Sequence, residues 1–218
     1  MIRYSGKLYS LTIGYNTLFL NLLILFFLVP FASFHRYLSL LVSFFFLTTL
    51  LLGLNALILP SKALFSLRFI AALGFVADVI VFPNSPYLTG LTSLLAYSCN
   101  SLFILFVIIA IGLRIYQEKQ VSLSVIRGGI CVYLLLGIFW YCLYKIILFF
   151  DPNAFSVPEG LTKHSLFYFS FTTLTALGYG DILPNNSFAM ILANLEAVLG
   201  QMYPAIVIAK LVSLYKVE

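Results

Sequence analysis

Long apolar segments separated by short polar breaks constrain the fold of this chain more than any other feature. They cover residues 15–34, 37–59, 64–82, 89–113, 126–150 and 187–214. A helix of roughly 20 residues crosses a hydrocarbon core about 30 Å thick, so each segment is long enough to span it. With 62% hydrophobic and 9% charged residues, the chain is too apolar for a soluble protein of 218 residues. We therefore predict an all-α membrane protein with six transmembrane helices, in contact with membrane lipid.

A seventh apolar stretch, residues 163–176, is too short to cross the bilayer and leads directly into a glycine-rich tract. Residues 172–181 read Thr-Thr-Leu-Thr-Ala-Leu-Gly-Tyr-Gly-Asp. Backbone without regular structure is tolerated at membrane depth only where protein buries it or where it lines a water-filled path. We therefore predict a short re-entrant helix that returns as an extended loop, and we take this loop as the candidate functional site.

The distribution of basic residues predicts the orientation of the chain, because cytoplasmic loops carry an excess of lysine and arginine. With the N-terminus inside, nine basic residues lie on or near the cytoplasmic side and three lie toward the outside. The inner set is Arg3, Lys7, Lys62, Arg68, Arg114, Lys119, Arg127, Lys210 and Lys216, and the outer set is Arg36, Lys145 and Lys163. We predict a multi-pass protein of the plasma membrane, or of the inner membrane if bacterial, with both termini cytoplasmic and the glycine loop facing out.

Several classes of function are disfavoured by what the chain lacks. Its net charge of +5 is explained by basic residues at helix ends, so no nucleic-acid partner is predicted. The cysteines Cys99, Cys131 and Cys142 lie in apolar stretches without metal-ligand spacing. No paired carboxylates, ligand set or nucleophile–base motif is present, so we predict that the protein is not an enzyme.

The tract Gly178-Tyr179-Gly180-Asp181 resembles the selectivity filter of potassium channels, in which backbone carbonyls replace the hydration shell of the ion. From about residue 127 to 215 the chain is similar to small prokaryotic channels of the two-transmembrane pore superfamily. The resemblance implies an outer helix, a pore helix, a filter and an inner helix, with K⁺ as the permeant ion, no organic cofactor, and a homotetramer. The implied filter is Thr175, Ala176, Leu177, Gly178, Tyr179 and Gly180, with K⁺ at Leu177, Gly178 and Tyr179.

The residues around the tract are predicted to support it. Gly178 and Gly180 allow the positive φ angles that an alternating filter backbone requires. Tyr168 and Phe169 are expected to wedge the ring of Tyr179. Asp181 is expected either to bond back to the short helix or to present a carboxylate at the outer mouth.

Two further features are predicted to act below the filter. Glu196 is expected either to brace the filter through Thr172 or Thr173, or to add negative potential to the cavity. The C-terminal end of the short helix, near Thr175, would stabilise a cation there through the helix dipole.

The last apolar segment carries the implied gate. Gly200 occupies the place of the gating hinge in the family, and Pro204 favours a bend because it removes a backbone hydrogen bond. Alternatively, Gly200 permits close helix packing, as small residues do in membranes. Gln201 and Ile208 are predicted to face the cavity.

The chain departs from the family at the inner end of the filter and in its N-terminal part. Ala176 stands where the family has threonine, and Leu177 where it has valine or isoleucine, which predicts a weaker innermost ion site. Residues 1–125 are predicted to form a four-helix domain that is not a voltage sensor, because the fourth span carries only Arg114. Residues 126–218 form the predicted pore domain.

Two alternatives remain open at the level of sequence. The first is a channel-like regulatory subunit that conducts poorly or without selectivity, which the alanine at position 176 favours. The second is a membrane transporter or scaffold in which the glycine tract is an incidental loop. Potassium-selective, voltage-independent conduction is the leading prediction.

Overall fold

The computed structural model of the protein describes residues 2–33, 36–55, 65, 68–69, 71–72, 86–118, 120–158 and 165–214. Within these ranges the regular secondary structure is helical, as predicted, apart from one pair of two-residue strands. The helices are α1 (Ile2–Leu28), α2 (Arg36–Asn55), α3 (Pro86–Gln117), α4 (Leu123–Phe150), α5 (Ser165–Leu174) and α6 (Ser187–Leu214), with a 3-10 turn at Val29–Ser33. The strands are β1 (Phe155–Ser156) and β2 (Leu183–Pro184), which pair antiparallel.

Three helices in the described residues are long and apolar enough to cross a membrane. They cover Gly90–Gln117, Leu123–Phe150 and Ser187–Ser213, and they correspond to the predicted segments 89–113, 126–150 and 187–214. Helices α1 and α2 contain shorter apolar stretches, Tyr15–Phe31 and Leu40–Leu54. Most of the predicted segment 64–82 lies outside the described residues.

Helix boundaries differ from the apolar segments where capping or proline decides them. Helix α4 begins at Leu123 because the Ser122 side chain caps it, accepting a hydrogen bond from the Val125 amide at 3.4 Å. Helix α1 begins at Ile2, well before the predicted residue 15, since helical backbone can extend beyond the apolar stretch that hydropathy detects. It gives way to the 3-10 turn beside Pro30, whose ring lacks an amide donor.

Helix α4 is central to the packing of the described elements, in contact with α1, α3, α5 and α6. One apolar core joins α1, α2, α3 and α4 and includes Leu18, Leu54, Ile111 and Leu135. A second core surrounds α5 and includes Tyr144, Leu166, Phe169 and Leu174. Helix α5 is thereby held by apolar contacts on several sides.

One group of polar side chains connects the first two helices. Asn21 of α1 donates to the Thr49 hydroxyl at 2.6 Å and to the Phe45 carbonyl at 3.0 Å, and it accepts from Thr48 at 2.8 Å. These bonds join α1 to α2, in an environment where an unpaired polar group would be costly.

Candidate functional site: a short helix and the loop that follows it

Helix α5 occupies most of the predicted short stretch 163–176 and lies against α4 and α6. The Ser170 hydroxyl donates to the Gly137 carbonyl of α4 at 2.7 Å. A Cβ added at Gly137 would lie 2.5–2.8 Å from ring atoms of Phe171, closer than packed carbon atoms approach. Glycine at position 137 therefore permits α5 to pack directly on the backbone of α4.

The loop after α5 alternates in backbone conformation. Positive φ angles occur at Ala176 (55°), Gly178 (54°) and Gly180 (77°), which are every second residue. Glycine adopts this region without a steric penalty, whereas a residue with a Cβ is uncommon there. The positive φ of Ala176 was not predicted, although the period of two that links 176, 178 and 180 is visible in the sequence.

The first amides of the loop are held by the end of α5. The Leu177 and Gly178 amides donate to the Thr172 carbonyl at 2.8 and 3.2 Å, and the Ala176 amide donates to the Thr173 carbonyl at 2.9 Å. All described peptide bonds are trans, so the carbonyl of each peptide points opposite to its amide. The carbonyls of Ala176 and Leu177 belong to the same peptide units as the Leu177 and Gly178 amides, so they point away from the Thr172 carbonyl that these amides bind.

The loop is uncovered in the single chain, while its two ends are buried. Every residue from 175 to 181 is exposed, with Leu177 at 56% and Tyr179 at 66%. Leu174 and Ile182, which flank the loop, are buried. Within the described residues no group of three or more His, Cys, Asp or Glu side chains could hold a metal ion. An exposed loop of this kind can offer its backbone carbonyl oxygens to an ion.

Tyr168 contacts the loop, whereas Phe169 lies elsewhere. The Tyr168 and Tyr179 rings stack with centroids 6.2 Å apart and 6° between their planes. Phe169 is buried against Tyr144 and Phe155, at centroid distances of 5.1 and 5.4 Å. The expectation that Phe169 wedges the Tyr179 ring is therefore wrong within the single chain. Neighbouring positions on a helix point in different directions, so the two rings cannot face one partner.

Asp181 lies beside the short helix, near enough for the first of the two roles predicted for it. Its carboxylate interacts electrostatically with the Tyr168 side chain. It accepts a hydrogen bond from the Ile182 amide at 3.1 Å. The residue that follows the glycines thus lies near the same tyrosine that stacks on Tyr179.

A brace that the motif search did not identify ties the chain after α4 to the chain after the loop. Strands β1 and β2 pair Phe155 with Pro184. The Asn185 amide donates to the Ala154 carbonyl at 2.8 Å, and the Asn186 side chain donates to Asp151 at 2.7 Å. The clusters of Asp, Pro and Asn at 151–153 and 184–186 are the only sequence signal for it, and they predict turns without naming their partners.

Glu196 of α6 is fully buried and bonds to two other helices. Its carboxylate accepts a hydrogen bond from the Tyr144 hydroxyl of α4. The Ser170 hydroxyl of α5 lies 2.6 Å from the other carboxylate oxygen and shares its single proton between this oxygen and the Gly137 carbonyl. The predicted partners Thr172 and Thr173 are not the ones observed. The Thr172 hydroxyl instead donates to the Phe169 carbonyl at 3.0 Å. Ser170 is the α5 hydroxyl that faces Glu196. The carboxylate therefore connects α4, α5 and α6.

Gly200 is packed against the end of α5. A Cβ added there would overlap the Leu174 carbonyl oxygen and lie 2.7 Å from its carbonyl carbon. This contact supports the close-packing interpretation of the glycine. Pro204 lies inside α6, which continues to Leu214. Gln201 and Ile208 are exposed in the single chain.

Tyrosines connect α4 to α6 and to the end of α5. The Tyr203 hydroxyl donates to the Gly129 carbonyl at 2.8 Å, and the Tyr133 hydroxyl donates to the Leu174 carbonyl at 3.3 Å. The two rings stack at 5.9 Å. The last carbonyl of α5 is therefore contacted by both neighbouring helices.

Two long apolar helices that enclose a short helix and an uncovered loop of alternating backbone define the class: a membrane pore domain. Residues 128–216 match the family model described as an ion channel. This segment holds nearly all of α4, the whole of α5, the glycine loop and α6, and over it the chain is similar to the ion-channel family. No curated protein and no solved structure matches the chain.

Replacing Glu196 with alanine is expected to destabilise the folded protein. The Tyr144 hydroxyl would be left buried without an acceptor, at a cost of about 1–3 kcal/mol. The Ser170 hydroxyl would keep the Gly137 carbonyl. We expect a lower thermal midpoint in detergent for Glu196→Ala, and a smaller decrease for Glu196→Gln, which retains a side-chain acceptor. An unchanged midpoint for the alanine variant would contradict the bracing role.

Proposed function

We propose that this chain is the subunit of a homotetrameric, potassium-selective channel that conducts along the backbone of residues 175–180. The observation that carries the proposal is the orientation of the loop peptides. The Leu177 and Gly178 amides bind the Thr172 carbonyl, so the Ala176 and Leu177 carbonyls point the other way. Rings of such carbonyls replace the hydration shell of K⁺. K⁺ would be coordinated at Leu177, Gly178 and Tyr179.

A fourfold assembly accounts for the surfaces that the single chain leaves uncovered. The loop supplies one wall of a path, and closed rings are the usual assemblies of identical subunits. Only 11% of the membrane-crossing residues of α6 are buried, against 50% for α4. Large apolar side chains on α6 are exposed: Leu195, Val198, Leu199, Met202, Ile206, Ile208 and Val212. In the tetramer some would contact neighbouring copies, and Gln201 and Ile208 would face the cavity.

The proposed topology has six spans and no voltage sensor. The excess of basic residues on one side supports an orientation with both termini in the cytoplasm and the loop at the outer face of the plasma membrane. Helix α3 carries Arg114 in its last turn, whereas a sensor carries arginines repeated along one helix. Opening would therefore depend weakly on voltage.

The proposed gate is the segment of α6 from Gly200 to Pro204. Proline has no amide hydrogen, so the Gly200 carbonyl has no amide donor at position 204. N-terminal to Pro204, Glu196 and Gly200 hold α6 against α5. The part of α6 that follows Pro204 would pivot while the part beside the filter stays packed.

Purified protein in liposomes tests the proposal. We expect K⁺ flux, a reversal potential that favours K⁺ over Na⁺, weak voltage dependence, and the mass of four chains in detergent. Flux without ion preference, or a monomeric or dimeric mass, would overturn the proposal. Steep voltage dependence would overturn the assignment of the N-terminal helices as accessory.

A second candidate function is a channel-like subunit that conducts poorly and assembles with other channel chains. Ala176 contributes no hydroxyl at the inner end of the loop. The hydroxyl of Thr175 is already bound, since it donates to the Phe171 carbonyl at 2.7 Å. Fourfold particles without K⁺ flux, in otherwise active liposomes, would favour this candidate.

Introducing threonine at position 176 is expected to strengthen ion binding at the inner end of the filter. Ala176→Thr adds one hydroxyl per subunit at the position where the resemblance implies an ion ligand. We expect barium to block about tenfold more tightly, which corresponds to about 1.4 kcal/mol. The measurement is the concentration of Ba²⁺ that halves the K⁺ current.

Ala176→Val is the matched control for that substitution. Valine has the shape and branching of threonine, and therefore the same strain at positive φ, but it has no hydroxyl. Equal barium block in the threonine and valine variants would contradict the hydroxyl interpretation.

A further inference from the structure

The N-terminal helix α1 reaches the short helix of the pore domain directly. The Phe26 ring meets the Phe171 ring edge-on, with centroids 5.0 Å apart and 87° between their planes. It also contacts Phe167 at 5.7 Å, and Phe167 and Phe171 are themselves 4.8 Å apart. Phe26 lies outside the segment 128–216 that matches the ion-channel family. The contact therefore connects the accessory part of the chain to the pore.

The position of Phe26 is set by the packing of α1 against α4. Near the beginning of α4, Arg127 donates to the Asn16 side chain at 2.5 Å. Between Asn16 and Phe26, Leu18, Leu22 and Leu25 are buried in the core shared by α1 and α4. The C-terminal half of α1 is thus held against α4, and it presents Phe26 to α5.

Phe171 receives contacts from two different helices. Its ring meets Phe26 of α1, and it lies where a Cβ at Gly137 of α4 would come within 2.5–2.8 Å. Shortening the Phe26 side chain would remove one of these two supports. Overpacking at Gly137 would disturb the other.

The backbone at Phe171 holds the first residue of the filter. Its carbonyl accepts the Thr175 amide at 3.1 Å and the Thr175 hydroxyl at 2.7 Å. The next carbonyl, that of Thr172, accepts the Leu177 and Gly178 amides. A small displacement of α5 at this point would therefore change the hydrogen bonds that orient the first filter peptides.

We propose that Phe26 is a positioning residue for the selectivity filter. Through Phe171, α1 determines how stably the loop keeps its conducting conformation. The inference rests on the proposed function, and it assigns a role to an N-terminal helix. Removing Phe26 would favour a filter conformation that no longer conducts, and this conformation would be most populated when few ions occupy the filter.

The test compares Phe26→Ala with Phe27→Ala in liposome-reconstituted full-length protein. Phe27 has the same ring on the same helix, is 68% exposed, and within the described residues its ring contacts Phe26. We expect Phe26→Ala to accelerate the loss of current at low external K⁺ by about three- to tenfold. This range corresponds to the loss of one edge-to-face aromatic contact. Phe27→Ala should change this rate less than about twofold.

A double-mutant cycle separates positioning from general destabilisation. If Phe26 acts through Phe171, adding Phe26→Ala to Phe171→Ala should have little further effect on the rate of current loss. Additive effects of the two substitutions would overturn the proposal. If Phe26→Ala does not assemble, Phe26→Leu replaces it in the same cycle.

The failure of this inference is distinguishable from failure of the proposed function. Selective flux in the wild type, together with equal rates for Phe26→Ala and Phe27→Ala, would overturn the inference alone. Absence of selective K⁺ flux in the wild type would overturn the proposed function, and the inference with it. A wild-type rate of current loss in Phe26→Tyr, which keeps an aromatic ring at this position, would support the inference.

Discussion

Gly178→Ser is expected to abolish selective K⁺ conduction while leaving the chain folded. Gly178 has a φ of +54°, a conformation that costs a residue with a Cβ about 1–2 kcal/mol. Four identical subunits would multiply that strain at one level of the pore. Within the single chain a Cβ there meets no atom within 4 Å, so the fold of the subunit should tolerate it. The measurement is the K⁺/Na⁺ reversal potential and the K⁺ flux of reconstituted protein.

Gly112→Ser provides the control for that substitution. Gly112 lies in α3, and a Cβ added there also meets no atom within 4 Å. The same chemical change is thereby made at an open helical position far from the loop in sequence, and wild-type flux is expected. Unaltered selectivity in Gly178→Ser would count against the loop as the ion path.

Gly200→Ala is expected to loosen α6 from the end of α5. The added Cβ would overlap the Leu174 carbonyl oxygen, and inserting a methyl group into a packed contact costs about 1–3 kcal/mol. Alanine favours a helix interior over glycine by up to about 1 kcal/mol, which opposes this cost without cancelling its upper range. We expect a lower thermal midpoint of the assembled protein and a faster loss of current.

The matched substitution Gly112→Ala separates packing from hinge bending. At Gly112 the added methyl group meets no neighbour, so the helix preference acts alone and the midpoint should stay the same or rise. If Gly200 served only as a hinge, Gly200→Ala would also leave the thermal midpoint unchanged or higher, and it would alter gating instead. If Gly200→Ala raised the midpoint as Gly112→Ala does, the packing role would be refuted.

The elements of the site are predictable from the sequence, whereas several of their contacts are not. The apolar segments at 89–113, 126–150 and 187–214 correspond to helices long enough to span a membrane, because hydropathy is summed over a local window. The same reasoning placed Tyr168 and Phe169 together on Tyr179, although only Tyr168 stacks there. Which of two adjacent helical residues faces a neighbour depends on the rotation of the helix. That rotation is set by packing.

The partner of Glu196 illustrates the same limit. A buried carboxylate in a membrane helix is readily recognised as one that needs hydrogen-bond donors. The sequence analysis predicted Thr172 or Thr173 of α5 as the partner and did not name Ser170. The close approach of α5 to α4 at Gly137 brings Ser170 to the carboxylate. This approach involves a third helix and cannot be inferred from a motif.

The amino-acid sequence by itself determined that this is a helical membrane protein, and it located the glycine loop within the segment that matches an ion-channel family. Apolar length and glycine at positions of positive φ are local properties, so they are legible without coordinates. Tertiary structure alone decided that Phe26 meets Phe171, that Glu196 joins Tyr144 to Ser170, and that Gly200 lies on Leu174. These contacts join different helices, and they depend on helix rotation and on the close approach that small residues permit.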